Sequence, residues 1–307
     1  MPWRDHQLDA VADVIREEDP DGARTASVLR ATIDQLYDGQ RSGRYRWDQL
    51  HKTEKTHCGT LVEINLQREF AFDDGDALDF EIAGIDVDCK YSQELYAWMI
   101  PPEARGKLCL VLWANDLESV WSMGIVRATD SRLRGGGNRD KKAQLLAAAR
   151  KHVEWLFERA PLPPNRLIHL DEGLVEQIMS GKTGAARVRT LFRRVQGQLI
   201  SRTVVVTTAR QHDAMKRVRR NGGARTPLEK DGIIILGQFK DDRRIARELR
   251  LPIPEAGGFV SARVHPTTDG ESPSAKINGV LWRLAGPQDP VVSAPELHAK
   301  SPKGPRH

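Results

Sequence analysis

Cysteine, aromatic residues and long apolar runs are all scarce in this chain of 307 residues. Its three cysteines, Cys58, Cys89 and Cys109, form no CxxC pair, which argues against both a disulfide framework and a zinc site. No apolar run approaches the roughly 20 residues of a membrane-spanning helix, and the polar N-terminal segment lacks the apolar core of a signal peptide. We therefore expect a protein of the reducing cytoplasm that has no membrane partner.

The net charge of +5 conceals an uneven distribution of charge along the chain. Residues 1–164 contain 22 Lys and Arg against 28 Asp and Glu, whereas residues 165–307 contain 25 against 14. Within the second part, residues 182–225 hold twelve basic residues and one acidic residue, Asp213. This density of one sign predicts a phosphate-binding surface, because a merely solvated helical face normally mixes both signs.

A proline cluster, Pro161-Leu162-Pro163-Pro164, lies where the charge changes sign. Proline cannot continue a helix, so the cluster is typical of a linker. The chain is also longer than one compact core usually holds, which favours two domains. We predict a first domain over residues 1–160, a linker over 161–164, a second domain over 165–290 and a flexible tail over 291–307.

Hydrophobic periodicity predicts an α/β (or α+β) fold for the first domain. Segments of helical spacing flank segments of strand period, and the run LCLVLW is typical of a strand that is buried on both faces. Helix, strands and helix in that order favour a mixed sheet. In chain order we predict helices over residues 25–37 and 60–70, strands over 85–91, 108–113 and 120–126, and a helix over 141–159.

The second domain is predicted to contain helices followed by short strands, an order compatible with a winged helix-turn-helix. Residues 203–207 fit either a strand or the core of a helix, and propensity does not decide between them. The Asn-Gly-Gly sequence at 221–223 is typical of a helix C-cap. We predict helices over residues 172–179, 185–200, 211–220 and 241–249, and strands over 233–236, 259–264 and 277–283.

One predicted strand carries charged side chains on a single face. In the segment IDVDCKY, apolar residues alternate strictly with Asp86, Asp88 and Lys90. Four more aspartates, of which Asp79 is the last, precede Asp88 within 15 positions. Clustered carboxylates repel one another, and a bound divalent cation is the usual reason for tolerating them. A solvent-facing edge strand would show the same alternation without any catalytic role, and Asp86 is interpreted in that way, as a supporting or surface carboxylate.

The chemistry that these residue types suit is phosphodiester hydrolysis with Mg²⁺. Two carboxylates, Asp79 and Asp88, are expected to bind the ion, which neutralises charge on the phosphate. Lys90, one strand step from Asp88 on the same face, is expected to act as a base on the attacking water or as an electrostatic clamp on the phosphate. This is the spacing of the D…(D/E)xK nucleases, although an isolated Asp-x-Lys also occurs by chance in many chains.

Two segments near this strand carry a resemblance to a known family. TEKTHCGTLVEINLQREF and DFEIAGIDVDCKYS closely resemble the NaeI-type restriction endonucleases, as do GGAR and GIIILG in the second half. The resemblance extends from about Asp19 to Pro290. It implies a restriction-endonuclease-like nuclease core, followed by a winged helix-turn-helix domain similar to that of catabolite activator protein.

The resemblance also implies an activity and a set of site residues. It implies a type II (type IIE) enzyme that acts as a homodimer on a palindromic, G·C-rich site in double-stranded DNA, with a second DNA copy at the C-terminal domain as allosteric activator. It implies Glu63, Asp79 and Asp88 as metal-binding carboxylates and Lys90 as the lysine of the site. Glu63 comes from the resemblance alone, because by its own context it is an ordinary helical glutamate.

The basic stretch supplies the candidates for DNA binding. Positive charge binds phosphates without sequence preference, whereas base readout requires side chains on an element inserted in a groove. Arginine pairs with guanine, so this composition suits a G·C-rich site, and the scarcity of aromatic residues argues against single strands. We predict that Arg187, Arg189, Arg193 and Arg194 bind phosphates, that Gln211, Lys216, Arg217 and Arg220 are the best candidates for base readout, and that Arg225 also binds DNA.

A second motif, LYDGQR over residues 36–41, is one substitution from the K-x-D-G-x-R adenylation motif of DNA ligases. In that motif the lysine amine is the covalent nucleophile, and Leu36 has no nucleophilic atom. Adenylation at this position is therefore excluded, and we interpret the segment as a helix that ends in an Asp-Gly turn and leads into a basic loop.

Two functional alternatives stay open at this point. A nicking repair or resolving nuclease would use the same chemistry on a structural target, although the separate basic domain favours sequence-specific cleavage. A catalytically inactive DNA-binding regulator would be expected to have a broken carboxylate–lysine set, whereas all four residues are present.

Overall fold

The computed structural model describes residues 4–135, 140–268 and 273–297. The chain divides into two compact units. Unit 1 comprises the chain up to Tyr37 together with Arg46–Pro164, and unit 2 comprises Asp38–Tyr45 together with the chain from Asn165 onward. The later boundary lies at the last residue of the predicted linker. The assignment of Asp38–Tyr45 to unit 2 is a difference from the predicted division, which placed these residues in the first domain.

Helices occupy the following ranges in the described chain: α1 (His6–Glu18), α2 (Ala23–Tyr37), α3 (Gly39–Ser42), α4 (Lys52–Phe70), α5 (Glu172–Met179), α6 (Gly184–Arg194), α7 (Arg202–Ala209), α8 (Arg225–Lys230) and α9 (Lys240–Glu248). Shorter 3-10 turns lie at Trp47–Gln49, Pro102–Ala104, Asp130–Arg132, Ala147–His152, Arg166–His169 and Ala214–Val218. No helix among the described residues is long and apolar enough to cross a membrane.

Within the described ranges, strands form a six-stranded sheet in unit 1, a four-stranded sheet in unit 2 and a small two-stranded sheet. In unit 1 they are β1 (Asp73–Asp74), β2 (Phe80–Ile82), β3 (Ile85–Ser92), β4 (Leu108–Asn115), β5 (Val120–Arg127), β6 (Leu133–Arg134), β7 (Gln144–Leu145) and β8 (Glu154–Pro161). In unit 2 they are β9 (Ile233–Leu236), β10 (Val260–Pro266), β11 (Ser274–Ile277) and β12 (Val280–Leu284).

The sheet of unit 1 has the order β1-β2-β3-β4-β5-β8. β3 and β4 are parallel, and the other neighbouring strands are antiparallel. The predicted mixed sheet is therefore confirmed. β4 lies in the centre of the sheet and is buried on both faces, as its continuous apolar sequence indicates.

The two faces of this sheet pack against different parts of the chain. On one face, Ile33 of α2 and Val62 of α4 belong to the buried cluster that contains Val87 of β3. On the opposite face, Cys109 and Val111 of β4 lie in a second cluster, which also includes residues of the β6–β7 hairpin. The alternation of side chains along β3 and β4 thus separates a helical face from a hairpin face.

The prediction of a helix over residues 141–159 is wrong. The chain forms β7, then the 3-10 turn Ala147–His152, then β8. Trp155 and Phe157 alternate along β8, which pairs with β5 through an irregular register. The alanine-rich sequence before them favours a helix locally, but pairing with the central sheet overrides that propensity.

In unit 2, the first helices pack around one apolar cluster, and α9 packs on the four-stranded antiparallel sheet of order β11-β12-β10-β9. The segment over residues 203–207, which fitted either state, is helical as part of α7. The helix predicted over 185–200 ends at Arg194, because Ile200 forms backbone hydrogen bonds with Phe259 beside β10 instead.

Two further predicted elements of unit 2, a helix and a strand, differ from the structure because the chain turns within them or directly after them. The helix predicted over residues 211–220 is only the 3-10 turn Ala214–Val218, because the following glycine turn folds back so that Gly223 lies against the backbone of Arg219. The strand predicted over 277–283 is a hairpin of β11 and β12, which turns at Asn278-Gly279 with positive φ at both residues.

The tail predicted over residues 291–307 is packed where it is described. Ala294 and Leu297 are buried in the cluster beneath the four-stranded sheet. The Ala294 N–H donates to the carbonyl oxygen of Glu229 at 2.8 Å, and the Asn278 side chain donates to the carbonyl oxygen of Glu296 at 2.8 Å. Residues 291–297 are therefore part of unit 2, and residues 298–307 lie outside the described residues.

Asp38–Tyr45, the segment that contains most of the LYDGQR motif, packs within unit 2. Gly39 lies so close to Thr207 of α7 that a Cβ atom would overlap the threonine hydroxyl. The Gln40 side chain hydrogen-bonds His212 at 3.1 Å, and Asn165 donates to the carbonyl oxygen of Tyr45 at 3.2 Å. The glycine of the motif is therefore required for close packing, which agrees with its interpretation as a structural turn.

Candidate active site

Lys90 lies between two carboxylates on the hairpin face of the sheet. Its Nζ is 2.7 Å from Asp88 Oδ1 and 3.1 Å from Asp79 Oδ2. A third contact, to the carbonyl oxygen of Cys89 at 2.8 Å, uses the remaining donor of the ammonium group. Asp88 is only 2% exposed, so its charge depends on this partner.

The local course of β2 and β3 explains how Asp79 reaches the site. β2 pairs with β3 only as far as Val87, so the edge of β3 is open beyond that residue. There the N–H of Cys89 donates to Asp79 Oδ2 at 2.7 Å. The carboxylate thus substitutes for a strand partner and is held beside Lys90.

Glu63 approaches the same group of charges from α4, which packs on β3. Partial burial raises the pKa of Glu63, and the charges of Asp79 and Asp88 raise it further, whereas Lys90 lowers it. The structure therefore joins Asp79, Asp88 and Lys90 by direct contacts, and Glu63 lies near enough for their charges to affect its pKa. Sequence reasoning without the family resemblance missed Glu63, because its helix carries no local signal for a metal.

Burial dominates the electrostatics of the site. It raises the pKa of Asp88 to about 6, against the opposing effect of Lys90. Cys109 on the neighbouring strand lies with its Sγ 3.7 Å from Asp88 Oδ2 and also opposes the rise. Burial acts to lower the pKa of Lys90, but Asp88 and Asp79 outweigh it and raise that pKa, so the amine stays protonated.

The chemistry of this group suits a hard divalent cation. Glu63, Asp79 and Asp88 offer only carboxylate oxygens, the ligands that Mg²⁺ prefers. Among the described residues, no three His, Cys, Asp or Glu side chains are arranged closely enough to hold a metal ion. The donor types fit Mg²⁺, and Lys90 contacts only one oxygen of each aspartate, Oδ2 of Asp79 and Oδ1 of Asp88.

Asp86 lies outside this group, as its interpretation from the sequence proposed. Its Oδ1 accepts the N–H of Asp76 at 2.9 Å and so supports the turn before β2. Across the antiparallel pair it lies opposite Glu81. Asp86 is thus a suitable control for Asp88 in mutagenesis, because both aspartates lie on the same face of β3.

Two arginines that were predicted to bind DNA are engaged inside unit 2. Arg187 donates to three backbone carbonyl oxygens at 2.6–2.8 Å. Arg225 is largely buried near Asp242, with a nitrogen–oxygen distance of 3.6 Å, and burial lowers its pKa. Both guanidinium groups are therefore engaged within the fold, and their contacts with DNA stay predictions.

The other predicted DNA-binding residues lie nearer the surface of unit 2. Arg189 and Lys216 have no hydrogen-bond or ion-pair partner within the described parts of the chain. Arg189 lines a cleft of about 630 Å³ together with the Asn-Gly-Gly turn. The remaining five have polar partners: Arg193 with Asp231, Arg194 with Gln177, Gln211 and Arg217 with Asp213, and Arg220 with Glu229 and Glu296.

Helix α9 presents exposed cations that the sequence reasoning did not include. Lys240, Arg243 and Arg247 are exposed, and each lacks a side-chain partner among the residues that the structure describes. Their spacing places them on one side of the helix, whereas Ile245 and Ala246 are buried in the core. The sequence KDDRRIARE contains this amphipathic spacing, so periodicity was the signal that could have found them.

Lys90 lies on a strand of a mixed sheet and contacts two aspartates, and a glutamate of a packed helix lies nearby. This arrangement fits the nucleases that cleave DNA with a divalent metal ion. The chain is a restriction endonuclease, a type II site-specific deoxyribonuclease. The family model described as Restriction endonuclease NaeI matches residues 9–293. The type II restriction enzyme NaeI of Lentzea aerocolonigenes is 50% identical over 305 residues, which cover 97% of this chain and 96% of that protein. The chain belongs to the NaeI family of restriction endonucleases.

Proposed function

We propose that this enzyme hydrolyses phosphodiester bonds with Mg²⁺, within a palindromic and G·C-rich site of double-stranded DNA. The observation that carries the proposal is the ammonium of Lys90, held at 2.7 Å from Asp88 and 3.1 Å from Asp79. An acidic group of this kind in a nuclease is explained by a cation that the carboxylates share with the substrate phosphate.

The roles of the residues follow from their charges. Glu63, Asp79 and Asp88 would hold Mg²⁺, which when bound neutralises the attacked phosphate and makes water a better nucleophile. Lys90 stays protonated because its two carboxylate neighbours raise its pKa. It therefore acts as a clamp that stabilises the negative charge developing on the phosphate, rather than as the base.

Unit 2 is proposed to bind DNA as a winged helix-turn-helix domain. Its helices precede an antiparallel sheet, and α9 adds three unpartnered cations to those of the 182–225 stretch. Arg189 and Lys216 are proposed to bind phosphates, since they have no internal partner in the described chain. Arg217 and Arg220 pair with carboxylates of unit 2 and stay candidates for base readout through their remaining N–H groups.

The homodimer and the second DNA copy complete the proposal. A palindromic site has a two-fold axis, and two subunits related by that axis would place one active site on each strand. A separate basic unit in each chain offers a second place for duplex DNA, where an effector copy would activate cleavage. Membership of the NaeI family supports both statements.

The test is digestion of plasmids of known sequence with Mg²⁺, beside a chelator control, followed by sequencing of the ends. Discrete ends within one palindrome, and faster cleavage when a short duplex of that palindrome is added, are the expected results. Nicks at branched or damaged DNA would instead indicate a resolving or repair nuclease. Binding without any cleavage, even with added duplex, would contradict the proposal.

A further inference from the structure

A second basic region lies in the otherwise acidic unit 1. Residues 131–152 contain seven Lys and Arg but a single acidic residue, Asp140, which leaves 15 basic and 27 acidic residues in the rest of 1–164. The described residues of this stretch, 131–135 and 140–152, include β6, β7 and the 3-10 turn Ala147–His152, and we call these described residues the basic hairpin. Leu146 ties the turn to the strands, since its N–H donates to the carbonyl oxygen of Arg132 at 2.9 Å.

The basic hairpin packs on the face of the sheet that carries the active site. Leu133 of β6 and Leu145 of β7 are buried in one cluster with Cys109 of β4. The Cys109 Sγ lies 3.7 Å from Asp88 Oδ2. The hairpin and the Asp88 carboxylate therefore share one face of the sheet, whereas α4, which carries Glu63, packs on the other face.

Four cations of the basic hairpin, Arg134, Lys141, Arg150 and Lys151, have no carboxylate partner in the described chain. Lys141 and Lys151 are exposed and have no side-chain partner there, and Arg134 donates to the neutral side chain of Gln144. Arg150 lies over the ring of Tyr96 at 4.5 Å. By contrast, arginines elsewhere in unit 1, such as Arg16, Arg24, Arg127 and Arg159, pair with carboxylates.

Binding of DNA phosphates explains why the cations of the basic hairpin lie on the face of the active site and why they lack carboxylate partners. The active site is built from carboxylates, which repel DNA phosphates, and most of unit 1 adds to that repulsion. Cations on the same face would lower the cost of bringing the duplex to the site, and they would do so through phosphates rather than through bases. A solvated face would be expected to mix both signs of charge.

We propose that the basic hairpin binds backbone phosphates of the substrate duplex and holds it over the active site, independently of the DNA-binding surface of unit 2. The inference rests on the proposed function only for the identity of the substrate. Arg134, Lys141 and Lys151 are the residues that contact phosphates.

Photo-crosslinking tests the contact without requiring cleavage. A p-benzoylphenylalanine residue is placed at Lys141 or Lys151 in the full-length enzyme, and at Arg68 of α4, on the opposite face of the sheet, as the control. With a duplex that contains the recognition site, we expect crosslinks from positions 141 and 151 and none from position 68. Equal crosslinking at all three positions, or none at 141 and 151, would overturn the inference. If crosslinks form but the unmodified enzyme does not cut, the proposed function fails and the hairpin contact stands.

Removing the charges of Lys141 and Lys151 tests how much the basic hairpin contributes to binding of the substrate duplex. In Lys141→Ala/Lys151→Ala we expect kcat/KM to fall roughly tenfold with kcat nearly unchanged, and the slope of log kcat/KM against log salt to become shallower by about 2. The matched control Arg16→Ala/Arg68→Ala removes two cations from the helical face and should leave both quantities unchanged. Both assays contain saturating effector duplex, so that binding at unit 2 is constant. Identical behaviour of the two double variants would contradict the proposal.

Discussion

Lys90 Nζ lies 2.7 Å from Asp88 Oδ1, and these two residues are one strand step apart on β3. Asp88 is nearly removed from solvent and Lys90 is partly exposed, and Asp79 is the second carboxylate in contact with the ammonium. Burial of a carboxylate is costly unless a cation accompanies it. The pairing thus keeps two aspartates at the point where the enzyme is proposed to bind Mg²⁺ and the phosphate.

Replacing Lys90 by glutamine should remove the clamp and preserve binding. The side chain keeps much of its length but loses its charge, so we expect kcat to fall at least ~100-fold while the Kd for duplex DNA changes little. Lys107→Gln, an exposed lysine just before β4, is the matched control and should retain wild-type kcat. Single-turnover cleavage and fluorescence anisotropy measure the two quantities. A Lys90→Gln enzyme that cuts at the wild-type rate would exclude the assigned role.

Cleavage should require more Mg²⁺ as the pH falls. Burial holds the pKa of Asp88 at about 6, above its ordinary value of 3.8, so below pH 6 the carboxyl is mainly protonated and neutral. A ligand carboxylate must lose its proton before it binds a metal, so the half-maximal Mg²⁺ concentration should rise about tenfold per pH unit below pH 6 and level off above about pH 7. Cleavage rates measured against Mg²⁺ concentration across this range test the prediction, and a half-maximal concentration independent of pH would contradict it.

Gly39→Ala should destabilise unit 2. The added Cβ would overlap the hydroxyl of Thr207, and such overpacking costs about 1–3 kcal/mol of the free energy of unfolding. Gly59 of α4 is the control, because a Cβ there meets open space, and its replacement by alanine should slightly stabilise the protein. Chemical denaturation compares the variants. Equal stability of Gly39→Ala and the wild type would show that the close packing of Asp38–Tyr45 is not required.

A buried ionic group that links Arg30 of α2 to Asp116, the residue after β4, should contribute to the stability of unit 1. Asp116 is buried, pairs with Arg30 and accepts the Tyr37 hydroxyl at 2.7 Å. Asp116→Ala would leave the Tyr37 hydroxyl and part of the Arg30 guanidinium without a partner, although Asp34 still pairs with Arg30 at 2.6 Å, so we expect a loss of about 1–3 kcal/mol in the free energy of unfolding. Glu118→Ala removes an exposed partner of Arg159 and should change the free energy by less than about 1 kcal/mol. Similar losses in the two variants, measured by denaturation, would be inconsistent with this account.

Local periodicity predicted the part of the site that lies on one strand. The period of two placed Asp88 and Lys90 on the same face of β3, and the apolar run of β4 indicated its central position. Glu63 could not be derived in this way, because its approach depends on how α4 packs against β3. Helix α1 was missed although its apolar residues have helical spacing: Leu8, Val11, Ala12 and Ile15.

Elements that depend on distant contacts were the ones that sequence reasoning mispredicted. β8 is a strand because it pairs with β5, which overrides the helical propensity of the residues before it. Asp38–Tyr45 and residues 291–297 pack in unit 2 through contacts with residues far along the chain. The basic hairpin was not recognised because charge was summed over halves of the chain, which hid seven cations within an acidic domain.

The central claim is tested most directly by comparing Asp88→Ala with Asp86→Ala in a plasmid-cleavage assay with Mg²⁺. Both variants remove one aspartate from β3, but only Asp88 contacts Lys90. Cleavage lost in Asp88→Ala and retained in Asp86→Ala, with DNA binding intact in both, is the result that this account predicts. Wild-type cleavage by Asp88→Ala would contradict the assignment of the active site.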